Sequence, residues 1–157
     1  MNAWLLELWA APAALGFALL FNVPPRSLVA CCTLAVLGHA SRKAVVDLGG
    51  DIVLGTLIGG VVIGITAEWW AKRHHMIPTV YSISAAIPMV PGTFMYKAVQ
   101  GLLGIATLSR LPAGMAQDSA QQLLTDASIN AVKASMILMA LAFGIAAPIL
   151  FLPHRRD

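Results

Sequence analysis

Apolar residues run along this chain in long stretches, with polar residues gathered in short clusters between them. The first stretch extends from about Ala3 to Phe21. It ends at Asn22-Val23-Pro24-Pro25-Arg26, where Val23 and Pro24 each precede a proline and are steered away from helix. The second runs from about Ser27 to Val46 and stays apolar as far as Gly38-His39-Ala40-Ser41-Arg42-Lys43. Gly49-Gly50-Asp51 follows as a loop, with Asp51 a fitting N-cap for the next helix. The third stretch, about Ile52 to Trp70, carries Gly55-xxx-Gly59 overlapping Gly60-xxx-Gly64. Small residues four apart let helix backbones approach closely. Trp69, Trp70, Lys72, Arg73, His74 and His75 close it with the aromatic and basic belt of a membrane interface.

The fourth stretch, Ile77 to about Leu108, is too long for one straight span and is interrupted by Pro88-Met89-Val90-Pro91-Gly92. From Ile77 to Ile87 a helix would rise about 16 Å, half of a hydrocarbon core of about 30 Å. The break therefore falls near mid-membrane. Irregular backbone is tolerated there only where protein buries it or it lines a wet cavity. Transporters build substrate sites from such broken helices. A connector with Pro112 and Gly114 follows, and Asp118 or Ser119 is placed to cap a last helix whose apolar run is Ala134 to Leu152.

Composition supports this pattern. Of 157 residues, 59% are hydrophobic and 11% charged, and mean hydropathy is +0.80. A soluble domain carries about 25% charged residues. The chain reads as all-α: a polytopic membrane helix bundle in one integral domain over residues 1–157. It has about five transmembrane helices, the fourth broken at Pro88-Gly92. The N-terminus lacks a basic n-region, so the first stretch reads as a retained span rather than a cleaved signal. So small a bundle calls for self-association or a second subunit. With the N-terminus outside, the cytoplasmic ends hold Arg26, Lys72, Arg73, Arg155 and Arg156, against Arg42, Lys43 and Arg110 on the outer ends.

Three groups carry candidate chemistry. His39 sits about 10 Å inside the second helix, where it should face the bundle, and shares a helix face with Arg42. A titratable ring beside a fixed cation suits a carboxylate site or a proton relay. At the break, a half-helix starting at Gly92 or Thr93 would aim its free N–H groups and positive dipole end at the midplane, with Lys97 one turn on. In the last helix, Asp126, Asn130 and Lys133 share a face and suit a gate lining, a coupling carboxylate or an acceptor for a substrate ammonium. Glu68 beside Trp69 reads as interfacial, and Asn22 to Arg26 as a turn with a basic anchor. Cys31 and Cys32 are adjacent small hydrophobes without metal spacing, and His74-His75 lacks it too. No metal or cofactor is expected, nothing suggests nucleic-acid binding, and P-loop, HExxH, GxGxxG and catalytic-triad patterns are missing. An enzyme is therefore not expected.

Phe21-Asn22-Val23-Pro24-Pro25-Arg26, Gly38-His39-Ala40-Ser41-Arg42 and Ile87-Pro88-Met89-Val90-Pro91-Gly92, in this order and spacing, resemble the threonine/serine exporter (ThrE) family. More narrowly, they resemble its small YjjB-type subunit. The resemblance implies a multi-pass protein of the bacterial cytoplasmic membrane, equivalent to the C-terminal half of a fused exporter. It also implies a YjjP-type partner subunit and proton-driven export of threonine and serine, or of succinate for split pairs. It carries over Asn22, Pro24, Arg26, Gly38, His39, Ser41, Arg42, Pro88, Pro91 and Gly92; Lys97 falls outside the pattern. The expected substrate contacts are His39, Arg42, Pro88, Pro91, Gly92, Thr93 and Lys97, with Asn22, Arg26, Asp126 and Asn130 as gate or coupling residues. The competing expectation is a non-transporting assembly subunit, for which the doubled glycine spacing speaks.

Overall fold

The computed structural model describes residues 4–108 and 113–151. Arg110, Pro112, Arg155 and Arg156, invoked above, lie outside the described residues. The described chain is helical with no strand. A 3-10 helix (Leu5–Trp9) leads into α1 (Ala10–Leu20), followed by α2 (Pro25–Asp47), α3 (Ile52–His74) and α4 (Pro78–Ala86). A 3-10 turn (Ile87–Met89), α5 (Gly92–Leu108) and α6 (Ala113–Phe151) complete it. Among the described residues three helices are long and apolar enough to cross a membrane: Pro25–Asp47, Ile52–His74 and Ala120–Pro148 within α6. The chain is a multi-pass helical membrane protein.

Local sequence explains the helix boundaries. Pro12 lacks an N–H and crowds the carbonyl of Leu8, so α1 cannot extend upstream and the chain tightens into a 3-10 helix instead. The first stretch is thus shorter than one unbroken α-helix from Ala3. Asn22 takes the left-handed conformation (φ 55°) in the turn before Pro24, a conformation asparagine tolerates, and Pro25 opens α2. Asp51 caps α3 as expected, accepting from Val53 N–H at 3.0 Å. Neither Asp118 nor Ser119 caps the last helix, because α6 already begins at Ala113.

The chain divides into two compact units, Met1–Val90 with Met139–Asp157, and Pro91–Leu138. In the first, α2 packs most extensively on α3, with α1 and α4 alongside. Both glycine spacings of α3 are occupied within this unit. A Cβ at Gly55 would lie 3.0 Å from the Arg42 carbonyl oxygen, and one at Gly59 would lie 2.7 Å from that of Gly38. These two glycines therefore bring α3 against α2. Gly60 and Gly64 face α6: a Cβ at Gly60 would stand 3.1 Å from the Leu141 oxygen, and one at Gly64 2.7 Å from the Ile145 oxygen. The glycine stripes thus pack α3 against α2 and α6 within this unit. The pairings also show direction. Gly60 meets Leu141 and Gly144, and Gly64 meets Ile145 and Pro148, so α3 and this part of α6 run parallel.

The break forms where the prolines dictate. Pro88 sits in the 3-10 turn, and Val90, which precedes Pro91, is extended (φ −60°, ψ 133°). Met89 is fully buried, its side chain against Gly38 and Gly59 at the α2–α3 crossing. Gly38 lies about 20 Å from the start of α2 and about 14 Å from its end, so the break sits well inside the bundle. In the second unit, α5 and α6 form a hairpin in which Gly101 approaches Leu123 and Ala127.

Candidate functional site

The half-buried turn of α2 carrying His39 and Arg42 reaches two other parts of the first unit. His39 Nδ1 lies 2.9 Å from Glu7 Oε2, in the 3-10 helix before α1, and the two side chains are 17% and 19% exposed. Arg42 Nη1 donates to the carbonyl oxygen of Met89 at 3.1 Å. Glu7 also lies within electrostatic reach of the Arg42 guanidinium. One carboxylate, one imidazole and one guanidinium therefore meet beside the broken backbone.

The chemistry of this cluster follows from its open valences. His39 Nε2 is buried without a hydrogen-bond partner among the described residues. A neutral ring protonated on Nδ1 donates to Glu7 and offers Nε2 as an acceptor; a charged ring offers Nε2–H as a donor. Arg42 has five N–H donors in a fork that fits a carboxylate, and one is taken by Met89. The cluster can therefore hold a carboxylate on Arg42 and an ammonium on the Glu7–His39 side. Ionic groups in an apolar bundle cost several kcal/mol each unless paired, about the scale on which burial is tolerated only for use or specificity.

Glu7 is the residue that reading the sequence did not single out. It is the only acid before Asp47. A lone carboxylate in an apolar run is itself a signal of intramembrane function. His39 faces the bundle as expected, but its partner is a carboxylate rather than the neighbouring cations. Lys43 turns away, reaching Asp47 at 3.1 Å and lying over the Trp4 ring at 5.4 Å from its centroid. Ser41 donates to the Leu37 carbonyl, one turn back along α2. Glu68 is packed within the protein: it is 1% exposed and pairs with Lys72 Nζ at 3.4 Å.

Pro88 belongs to the first unit with this cluster, whereas Pro91, Gly92, Thr93 and Lys97 belong to the second. There, α5 begins at Gly92 as expected, with the Pro91 carbonyl accepting from Met95 N–H at 3.1 Å, and Thr93 and Lys97 are exposed. Asp126 is exposed, and Asn130 Nδ2 donates to the Asp126 carbonyl at 2.7 Å within α6. Asn22 is exposed, and Arg26 stands at the opposite end of α2 from the cluster. A groove of about 450 Å³ beside α4, walled by Ile83, Ala86, Ile87 and Ile145, contains no charged group and so nothing to hold a carboxylate. Among the described residues no group of His, Cys, Asp and Glu is arranged to bind a metal.

The sequence profile of the family described as "Threonine/Serine exporter, ThrE" matches residues 7–151. A curated relative from Haemophilus influenzae (strain Rd), named only as an uncharacterized protein, is 35% identical over 141 residues, covering 90% of this chain and 44% of the relative. The chain thus spans less than half the length of that relative. No solved structure matches it.

Proposed function

The chain belongs to the threonine/serine exporter (ThrE) family, and we propose that it is one subunit of a secondary exporter for small carboxylate-bearing metabolites. Threonine, serine and a succinate-like dicarboxylate are the candidate substrates, and a YjjP-type subunit in the bacterial cytoplasmic membrane is the partner. One observation carries the reading: Glu7, from the start of the chain, meets His39 and Arg42 of α2 beside the broken helix with open hydrogen-bonding capacity. In this proposal Arg42 takes the substrate carboxylate. Glu7 and His39 Nε2 take the ammonium of an amino acid, a role for which the sequence had suggested Asp126 or Asn130. Those two remain candidate gate residues in the second unit, as do Gly92, Thr93 and Lys97 for substrate contact.

Topology is proposed as N-terminus outside. If α3 and α6 both cross the membrane, their parallel packing needs the chain between them to return. Arg42, tied to Met89, then no longer counts as an outer-loop charge, which strengthens the inside-positive bias. The test is efflux from cells preloaded with labelled threonine, serine or succinate, expressing this chain alone or with its YjjP-type partner. Efflux only with both supports the two-subunit reading, and efflux by this chain alone contradicts it.

A further inference from the structure

A second basic site lies at the other end of α2, around Arg26, which the sequence suggests only as a gate or coupling residue and not as part of a binding cleft. A cleft of about 390 Å³ opens where the start of α2, the end of α3 and the start of α4 come together. Its walls include Pro24, Arg26, Ser27, His74, Met76 and Tyr81. This volume suits a small solute, since ligand pockets begin at about 300 Å³.

The cleft carries one fixed positive charge, Arg26. Arg26 stands in the first turn of α2, where the helix dipole disfavours a cation. That turn has no acidic residue and no side-chain cap; Pro25 has no N–H and the Ser27 N–H donates to the Pro24 carbonyl at 2.8 Å, which leaves the Arg26 N–H. Among the described residues Arg26 has no acidic partner. His74 adds an exposed imidazole, held by stacking on Trp70 with ring centroids 6.1 Å apart.

Two buried hydroxyl residues line the same cleft. Tyr81 is 1% exposed and Ser27 is 4% exposed, and neither side chain makes a hydrogen bond among the described residues. Tyr81 is buried as a residue, whereas its hydroxyl oxygen keeps some solvent access. An unpartnered phenol, a guanidinium without an acidic partner and the Arg26 N–H at the start of α2 therefore lie around one cleft, and each suits the same kind of ligand, an oxyanion.

We propose that this cleft binds a single oxyanion, the carboxylate of a small solute or the phosphate of a lipid head group. Arg26, the Tyr81 hydroxyl and the first turn of α2 make the contacts. The site is separate from the Glu7–His39–Arg42 cluster, and its occupancy does not depend on transport.

Trp70 provides a local reporter. The full chain is labelled with 5-fluorotryptophan and placed in phosphatidylcholine nanodiscs, and the Trp70 fluorine signal is assigned with Trp70→Phe. Titration with sodium succinate and with inorganic phosphate should move that signal saturably. Arg26→Gln should weaken the apparent affinity about tenfold or more, as expected for loss of a charge-assisted contact, and Tyr81→Phe about threefold. In phosphatidylglycerol discs, a signal already shifted and insensitive to succinate assigns the occupant to lipid phosphate. A signal that succinate still moves assigns it to a small solute. No shift with either anion in either disc overturns the proposal, as does a shift that Arg26→Gln leaves unchanged. Because no flux is read, the result stands or falls apart from the exporter reading.

Discussion

The two ends of α2 carry the same kind of residue in opposite circumstances. At one end Arg42 and His39 are half-buried and tied to Met89 and Glu7. At the other Arg26 is exposed, faces a cleft and has no acid beside it among the described residues. The difference teaches how to read a basic residue in an apolar chain. Where the charge is held by the protein's own groups, it fixes geometry, and its removal should damage both shape and function. Where the charge is left open, its removal should spare the fold and change only what binds.

The largest effect should come from Arg42→Ala. It removes the proposed carboxylate contact and leaves the Met89 carbonyl buried without its donor. Efflux should fall to background, and the unfolding free energy in detergent should drop by about 1–3 kcal/mol. A variant with full efflux would break the contrast at its stronger end.

Next comes the Glu7–His39 pair. Glu7→Gln and His39→Ala should each reduce efflux at least about tenfold with membrane abundance unchanged. The double variant should be little worse than either alone, since groups acting as a unit are non-additive. Additive losses would mean that the two side chains act separately.

Smaller again is a test of the scaffold between the two ends. Gly59→Leu forces a side chain against the Gly38 backbone, and Gly144→Val forces one against the Leu57 carbonyl. Each should cost about 1–3 kcal/mol in a denaturation series, the range for overpacking. Assembly with the partner should change only as far as the fold does. Arg26→Gln should have the smallest effect on stability, within about 0.5 kcal/mol, while the cleft loses its anion. An Arg26 variant as destabilised as Arg42→Ala would erase the distinction.

Much of the helical frame was legible from sequence because its causes are local. Pro25 and Asp51 mark helix starts, and Pro88, Pro91 and Gly92 mark the break within a residue. The inward face of His39 was legible too, because an imidazole that deep has no place in lipid. What escaped depends on which surfaces meet. Glu7 and His39 are 32 residues apart, and no periodicity within either segment reveals the pairing. The glycine spacing announced close approach without saying to what, and the answer was two neighbours, α2 on one face and α6 on the other. The tryptophans beside Glu68 gave no sign that it lies on the buried face of α3 and pairs with Lys72. The start of α6 was placed too late because Asp118 and Ser119 are good caps, and the chain is already helical five residues earlier.

The central claim is that Glu7, His39 and Arg42 form the substrate centre. Its most direct test is the initial efflux rate of labelled threonine, serine and succinate from cells co-expressing the chain with a YjjP-type partner. Wild type would be compared with Glu7→Gln at matched membrane abundance. The account predicts that the substitution, which removes one charge and almost no volume, abolishes most of the efflux that wild type supports. Wild-type rates for every transported substrate would contradict it.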